Sequence, residues 1–208
     1  MKKSAMNVPN ILSMIRVFLV PVFVVTLLMM RDIKVWGLVV PTLVYIVTAL
    51  TDMLDGKIAR KYNLVTDFGK FIDPLADKFM VISSQIAIMA CMFLNGESLE
   101  GIIFLVVVLL ILLRELGVTS LRLVVAGNSG IVVAASMLGK IKTVSQMAGT
   151  VIIILEPILS YFPSSEICAF LWNNHVLAYL MMAIMAFTTV FSGLDYLKAY
   201  LPHIDTNK

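Results

Sequence analysis

Long apolar stretches joined by short polar connections dominate the hydrophobic pattern of this chain. A helix needs about 20 predominantly apolar residues to cross the hydrocarbon core of a bilayer. Six stretches approach that length, at 16–30, from 35 into an aspartate-containing segment that begins at 52, 71–94, 102–125, 142–159 and 176–197. The pattern predicts an all-α membrane protein with six transmembrane helices. Because no connection is long enough for a soluble domain, we expect a single domain over residues 1–208.

The segment before the first stretch has the pattern of a short amphipathic helix. Pro9 stands near its start, and apolar Val8, Ile11, Leu12 and Ile15 recur at helical spacing. We predict an N-terminal interfacial helix that leads into the first span. No small-residue cleavage site follows the apolar stretch, so we interpret it as a retained membrane anchor rather than a signal peptide.

The composition supports the membrane interpretation and excludes other classes. The chain is 60% hydrophobic and 14% charged, with a mean hydropathy of +0.98. Soluble domains are about 45–50% apolar and about 25% charged. The net charge of +3 is small, and the basic residues flank apolar stretches instead of forming one patch, so we expect no nucleic acid partner. The two cysteines do not suggest a disulfide framework.

Basic residues predict the orientation of the spans, since cytoplasmic connections are enriched in lysine and arginine. With six spans, both termini lie on one side. The opposite side holds only Arg31 and Lys34. The basic residues on the side of the termini are Lys2, Lys3, Lys57, Arg60, Lys61, Lys70, Lys140, Lys142 and Lys198. We therefore predict an N-in/C-in protein of the cell membrane, with the aspartate segment facing the cytoplasm.

Four aspartates stand out from this apolar background: Asp52, Asp55, Asp73 and Asp77. A carboxylate deep in a bilayer costs roughly 2.5–3.5 kcal/mol on insertion scales, so folding alone does not explain four of them. Their spacings of three and four residues place each pair on one face of a helix. Two such helices facing each other would gather four carboxylates, which is a ligand set for hard divalent cations.

The aspartates belong to a longer pattern, Asp-x2-Asp-Gly-x2-Ala-Arg-x8-Gly-x3-Asp-x3-Asp, which residues 52–77 match at every fixed position. This pattern resembles the signature of the CDP-alcohol phosphotransferases, a family of integral membrane enzymes with six transmembrane helices. The resemblance implies a CDP-linked donor and a site with two divalent cations, Mg²⁺ or Mn²⁺. Physical reasoning agrees, because phosphoryl-group transfer depends more on charge neutralisation than on covalent help.

The resemblance also implies roles for single residues. Asp52, Asp55, Asp73 and Asp77 are expected to bind the metal ions, and Asp77 to act as general base on the attacking hydroxyl. The expected nucleotide-binding residues are Asp52, Gly56, Ala59, Arg60, Thr66, Asp67 and Gly69. Small residues at 56 and 59 admit a nucleotide but also suit close helix packing. Arg60 could pair with the pyrophosphate or serve as a membrane anchor, and residues 66 and 67 could touch the base or form a solvated loop.

A second group of charges follows in the fourth and fifth stretches. Arg114 interrupts an apolar run, and Arg122 comes about two helical turns later on nearly the same face. With Lys140, these arginines could bind the phosphate of an acceptor. The alternatives are snorkelling to the membrane surface, or pairing of Arg114 with Glu115 or with an aspartate of the site.

This second group narrows the resemblance to one branch of the family, which uses sn-glycerol 3-phosphate as acceptor. The stretches that carry it are Arg114-Glu115-x5-Leu121-Arg122, Gly139-Lys140-x-Lys142-Thr143 and Asn7-Val-Pro-Asn10-Ile-Leu-x3-Arg16. The branch implies attack of the acceptor hydroxyl on CDP-diacylglycerol in a homodimeric enzyme, giving phosphatidylglycerophosphate and CMP. Inositol phosphate, serine or phosphatidylglycerol are alternative acceptors. An ion-coupled transporter is a further alternative, against which Arg60 argues.

Overall fold

Seven α-helices are present in the computed structural model, which describes residues 7–61, 66–129, 136–162 and 164–203. Side chains are not described at positions 9, 53–61, 70, 128, 129 and 203. In chain order the helices are α1 (Val8–Met30), α2 (Trp36–Lys61), α3 (Asp67–Leu94), α4 (Ser98–Ser129), α5 (Met137–Leu155), α6 (Glu166–Asn173) and α7 (Val176–Tyr200). Short 3₁₀ segments follow α5 and α7. The described ranges contain no strand, so the predicted all-α fold is confirmed.

The predicted interfacial helix at the N-terminus is not a separate element. Helix α1 runs unbroken from Val8 to Met30, with Pro21 inside it. Asn7 caps its start, since the Asn7 side-chain oxygen accepts the backbone N–H of Asn10 at 3.1 Å. The prediction was wrong because the apolar spacing marks the outward face of the first turns, where Val8 is 56% exposed, and contains no signal for a break.

Within the described residues, five helices are long and apolar enough to cross a membrane, judged by length and composition: α1, α3, α4, α5 with its 3₁₀ extension, and α7. The apolar part of α2, Trp36–Asp52, is shorter. Large apolar side chains face outward, for example Phe18 at 69% and Leu113 at 71% exposure, as expected for contact with lipid. This is the architecture of a multi-pass membrane protein. The short helix α6, between α5 and α7, was not predicted.

Helix packing brings the charged segments together at one end of the bundle. Helix α1 packs on α2 and α3, while α7 packs on α4 and α5. The rings of Phe23 and Tyr45 join α1 to α2, with centroids 5.4 Å apart. Gly149 lets α5 approach α7, because a Cβ atom there would lie 2.6 Å from Met185 Sδ.

The opposite end of the bundle contains a cavity of about 370 Å³, lined in part by Arg31, Asn95, Glu97 and Trp172. Glu97 lies in the connection between α3 and α4. Burial raises the pKa of the Glu97 carboxyl, and the nearby charge of His175 only partly opposes this. The end of the bundle that carries Arg31 therefore has its own set of charged side chains, separate from the aspartates at the other end.

Candidate active site

Two of the signature aspartates meet around one buried arginine of α1. Arg16 Nη1 lies 2.7 Å from Asp52 Oδ1 on α2 and forms a short ion pair with Asp77 Oδ1 on α3. The Arg16 side chain is 0% exposed, whereas those of Asp52 and Asp77 are 26% and 48% exposed. Carboxylates from two helices thus converge on one guanidinium, and part of each remains open to a ligand.

The third described aspartate also has a partner on α1. Ser13 donates its hydroxyl to Asp73 Oδ1 at 2.6 Å. Ser13 is fully buried and lies one turn before Arg16 on the same face of α1. Asp73 in turn lies one turn before Asp77 on α3, so neighbouring turns of α1 contact neighbouring turns of the aspartate helix.

One turn further toward the N-terminus, Asn10 of α1 holds the start of α3. Its side-chain amide donates to Thr66 Oγ1 at 2.8 Å, and the same hydroxyl caps α3 by accepting the backbone N–H of Gly69 at 3.0 Å. A Cβ atom at Gly69 would lie 2.7 Å from Asn10 Oδ1. Gly69 therefore allows the two helices to approach, and Thr66 has a structural role. The adjacent Asp67 is exposed.

The side chains of Asp55, Gly56, Ala59 and Arg60 lie outside the described residues, although α2 includes these positions. Among the described side chains, no group of three or more His, Cys, Asp and Glu is close enough to hold a metal ion. The convergence of Asp52 with Asp77 fits an all-oxygen site for hard divalent cations, to which the other signature aspartates would add ligands. The metal and nucleotide assignments made from the sequence remain predictions.

A second charged cluster forms around Glu115 of α4. Its carboxylate accepts a short hydrogen bond from Lys142 of α5 and one from Arg114 Nη1 at 2.8 Å, and Lys78 Nζ of α3 lies 4.0 Å away. The Lys142 and Glu115 side chains are 5% and 15% exposed. Arg114 thus pairs with Glu115, as one of the alternatives proposed from the sequence, and three helices contribute cations to one carboxylate.

The two arginines predicted to bind an acceptor phosphate do lie together. Both stand over the ring of Tyr196 on α7, with Cζ atoms 5.0 Å (Arg114) and 5.9 Å (Arg122) from its centroid. Arg114 Nη2 also donates to Ser192 Oγ at 2.6 Å. The Tyr196 hydroxyl accepts the backbone N–H of Ser136, just before α5. Tyr196 therefore ties the two arginines to the start of α5.

Lys140, the third cation predicted for that pocket, is exposed in the first turn of α5. Lys142, two residues later, is the lysine that points inward to Glu115. The glycine before Lys140 packs against Tyr196, since a Cβ atom at Gly139 would lie 3.2 Å from the Tyr196 hydroxyl. The backbone that carries Lys140 thus borders the arginine pair, and its role with the acceptor remains a prediction.

Sequence reasoning missed the polar face of α1. Asn10, Ser13 and Arg16 recur every three residues, which aligns them along one side of a helix, and each is at most 2% exposed. Arg16 gave a usable signal, because an arginine within an apolar stretch is a functional candidate by default. The sequence signal for Lys142 and Tyr196 was weaker, because their contacts depend on how α4, α5 and α7 pack together.

The sequence of this chain matches the model of a known protein family. The family model described as CDP-alcohol phosphatidyltransferase matches residues 6–193, which include both charged clusters. The chain is 37% identical over 205 residues to the CDP-diacylglycerol--glycerol-3-phosphate 3-phosphatidyltransferase of Bacillus subtilis, covering 91% of this chain and 93% of the relative.

Two further relatives bear the same name as the Bacillus protein. The one from Rickettsia typhi is 33% identical and covers 93% of this chain and 96% of its own length. The one from Pseudomonas fluorescens is 31% identical and covers 97% of this chain and 94% of its own length. The similarity therefore extends over nearly the whole of each protein.

Proposed function

This chain belongs to the CDP-alcohol phosphatidyltransferase family, and from that membership we propose that it transfers the phosphatidyl group of CDP-diacylglycerol to the hydroxyl of sn-glycerol 3-phosphate. The products are phosphatidylglycerophosphate and CMP. The observation that carries this proposal is the full-length similarity to transferases named for this donor and this acceptor. Membership of a transferase family argues against ion-coupled transport as the function.

The aspartate site supports the first half of the reaction. We assign two divalent cations, Mg²⁺ or Mn²⁺, to Asp52, Asp55, Asp73 and Asp77, where they would neutralise the donor pyrophosphate when bound. Asp77 keeps nearly half of its side-chain surface accessible and is our choice for the general base that takes the proton of the acceptor hydroxyl. Its ion pair with Arg16 keeps that carboxylate directed at Asp52.

The remaining signature residues are assigned to the nucleotide. We propose that Arg60 pairs with the donor pyrophosphate through its planar fork and that Gly56 and Ala59 admit the CDP group against the backbone of α2. Thr66, Asp67 and Gly69 border the same region at the start of α3. The contacts of Thr66 and Gly69 with Asn10 support a positioning role there.

The cluster around Tyr196 supports the second half of the reaction. An acceptor that carries a phosphate dianion needs more than one cation, and Arg114 and Arg122 lie side by side over one ring. We assign the acceptor phosphate to Arg114, Arg122 and Lys140. Lys78 lies next to Asp77 in the chain and approaches Glu115, which pairs with Arg114. Helix α3 therefore connects the aspartate site to the arginines assigned to the acceptor.

We further propose six spans, with α2 as the shorter sixth, both termini in the cytoplasm, and a homodimer in the cell membrane. The orientation can be tested with single cysteines at Lys34 and Lys198 in a variant that lacks Cys91 and Cys168. A membrane-impermeant thiol reagent on intact cells should label position 34 and not position 198. The reverse labelling would overturn the orientation but not the reaction.

The reaction is tested by CMP release from purified protein supplied with CDP-diacylglycerol, Mg²⁺ and one acceptor at a time. We expect release with sn-glycerol 3-phosphate and not with serine, inositol phosphate, phosphatidylglycerol or plain glycerol. The Asp77→Asn variant is the inactive control. If CMP is released only with a different acceptor, the family assignment stands and sn-glycerol 3-phosphate is rejected as the acceptor.

A further inference from the structure

The metal ligands of the proposed function already have a cation between them. Arg16 is 0% exposed and touches Oδ1 of both Asp52 and Asp77, which belong to different helices. An arginine side chain stays protonated in proteins, so this charge is permanent. In the part of the site that the structure describes, the protein thus supplies a fixed positive charge before any metal ion arrives.

The neighbouring contact on α1 differs in kind. At Asp73, one turn along α3, the partner is the neutral hydroxyl of Ser13. Among the described aspartates, helix α1 therefore supplies a neutral donor to Asp73 and a full positive charge to the pair that joins α2 to α3. Substitutions at Arg16 and at Ser13 can therefore distinguish the effect of a charge from the effect of a hydrogen bond, because both residues lie on the same helix.

A fixed charge at this position has two opposite consequences. Two carboxylates that converge from different helices repel each other, and the guanidinium offsets that repulsion. Each carboxylate has a second oxygen and further lone pairs, so a metal ion can bind without displacing Arg16. The metal ion would then bind close to the guanidinium charge, which repels it.

We infer that Arg16 is the resident counter-cation of the aspartate site: it holds Asp52 and Asp77 together in the absence of metal and lowers the affinity of the site for divalent cations. The inference rests on the metal site of the proposed function. Arg16 is on this account a positioning residue, because it acts through the two aspartates. Its removal should tighten metal binding, which loss of a merely structural contact would not do.

The test is the dissociation constant for Mn²⁺, measured by electron paramagnetic resonance of the free ion, in detergent and without substrates. For Arg16→Gln we expect this constant to fall about tenfold or more, because a nearby unit charge no longer opposes the ion. Arg16→Lys keeps the charge and should stay within about threefold of the wild type, although an ammonium lacks the fork. Ser13→Ala and Lys198→Gln control for a lost hydrogen bond and for net charge, and neither should tighten binding.

Thermal unfolding provides a second measurement if Arg16→Gln is hard to isolate. The variant should have a lower Tm than the wild type in EDTA and should gain more from added Mn²⁺. Unchanged or weaker Mn²⁺ binding by Arg16→Gln overturns the inference while the proposed metal site stands. Failure to recover the folded variant even in Mn²⁺ also overturns it, and a wild type that binds no Mn²⁺ overturns the metal site as well.

Discussion

The guanidinium of Arg114 lies over the ring of Tyr196, with its Cζ atom 5.0 Å from the ring centroid. Arg122 approaches the same ring at 5.9 Å, and Tyr196 itself is only 4% exposed. One aromatic side chain of α7 thus fixes two arginines of α4 that are two turns apart. In the proposed function, the geometry of the acceptor site depends on this ring as much as on the charges.

Replacing Tyr196 should therefore impair use of the acceptor. A cation–π contact contributes about 0.5–2 kcal/mol, so we expect Tyr196→Leu to raise the KM for glycerol 3-phosphate roughly 2–30-fold, with a much smaller change for CDP-diacylglycerol. Tyr196→Phe keeps the ring and loses only the hydroxyl that accepts the Ser136 N–H, so it should stay closer to the wild type. Equal damage by both variants would assign the effect to the hydroxyl instead.

Asp73→Asn should abolish activity while the protein stays folded in detergent. The substitution removes a charged ligand with little change of volume, and Ser13 can still donate to the remaining carbonyl oxygen. The measurement is CMP release over a Mg²⁺ titration, together with the Tm of the purified variant. Asp195→Asn, on α7, is the matched control. Near-normal turnover of Asp73→Asn at saturating Mg²⁺ would show that Asp73 is not a metal ligand.

Lys142→Met should destabilise the protein strongly. The substitution removes the cation closest to Glu115. Both side chains of this pair are largely buried, with Glu115 15% and Lys142 5% exposed. Breaking a buried ion pair on one side costs roughly 3–5 kcal/mol, whereas replacing both partners costs much less. We therefore expect the double variant Lys142→Met/Glu115→Gln to recover most of the free energy of unfolding, measured by titration with a denaturing detergent. Lys140→Met, exposed on the same helix, is the control, and a loss equal to that of Lys142→Met would contradict this prediction.

Glu97 should make the stability depend on pH. Burial raises the pKa of its carboxyl, and the charges of Glu100 and Glu156 act in the same direction. Its folded-state pKa lies above the unfolded value, so the folded protein binds the extra proton between the two values and loses stability as pH rises through them. At pH values above this raised pKa, Glu97→Gln should therefore have a higher Tm than the wild type, and it should lack the decline of Tm that Glu97 causes as pH rises from its ordinary pKa of 4.5. Glu166→Gln, at the exposed start of α6, is the matched control for loss of one carboxylate.

The sequence predicted most of the fold because long apolar stretches have one stable form in a bilayer. The limits of α3 and α7 come close to the predicted stretches 71–94 and 176–197. The polar ends of helices were harder to predict, because a membrane-spanning helix can continue past the apolar region. Helix α4 extends to Ser129, and α1 begins at Val8 instead of after an interfacial helix.

The candidate site was only partly predictable, for reasons that lie in packing. Helical spacing correctly placed Arg114 and Arg122 on one face of α4. The sequence could not show that Lys140 is exposed and Lys142 is buried. Residues two apart on a helix point in different directions, and only the packing of α5 against its neighbours determines which of the two lysines faces inward. The roles of Ser13 and Arg16 depend on α1 packing against α2 and α3, which a single sequence does not reveal.

The pairing of Arg16 with the aspartates also has a consequence for biogenesis. Asp77 follows Arg16 by 61 residues, so at about 5–20 residues per second the ribosome delivers this partner roughly 3–12 s after the arginine. The chain that contains Arg16 is therefore synthesised before either of the aspartates that pair with it. Synthesis of α1 and assembly of the aspartate site are consequently separate events, and the ion pairs of Arg16 can join the first three helices only after the start of α3 has been made.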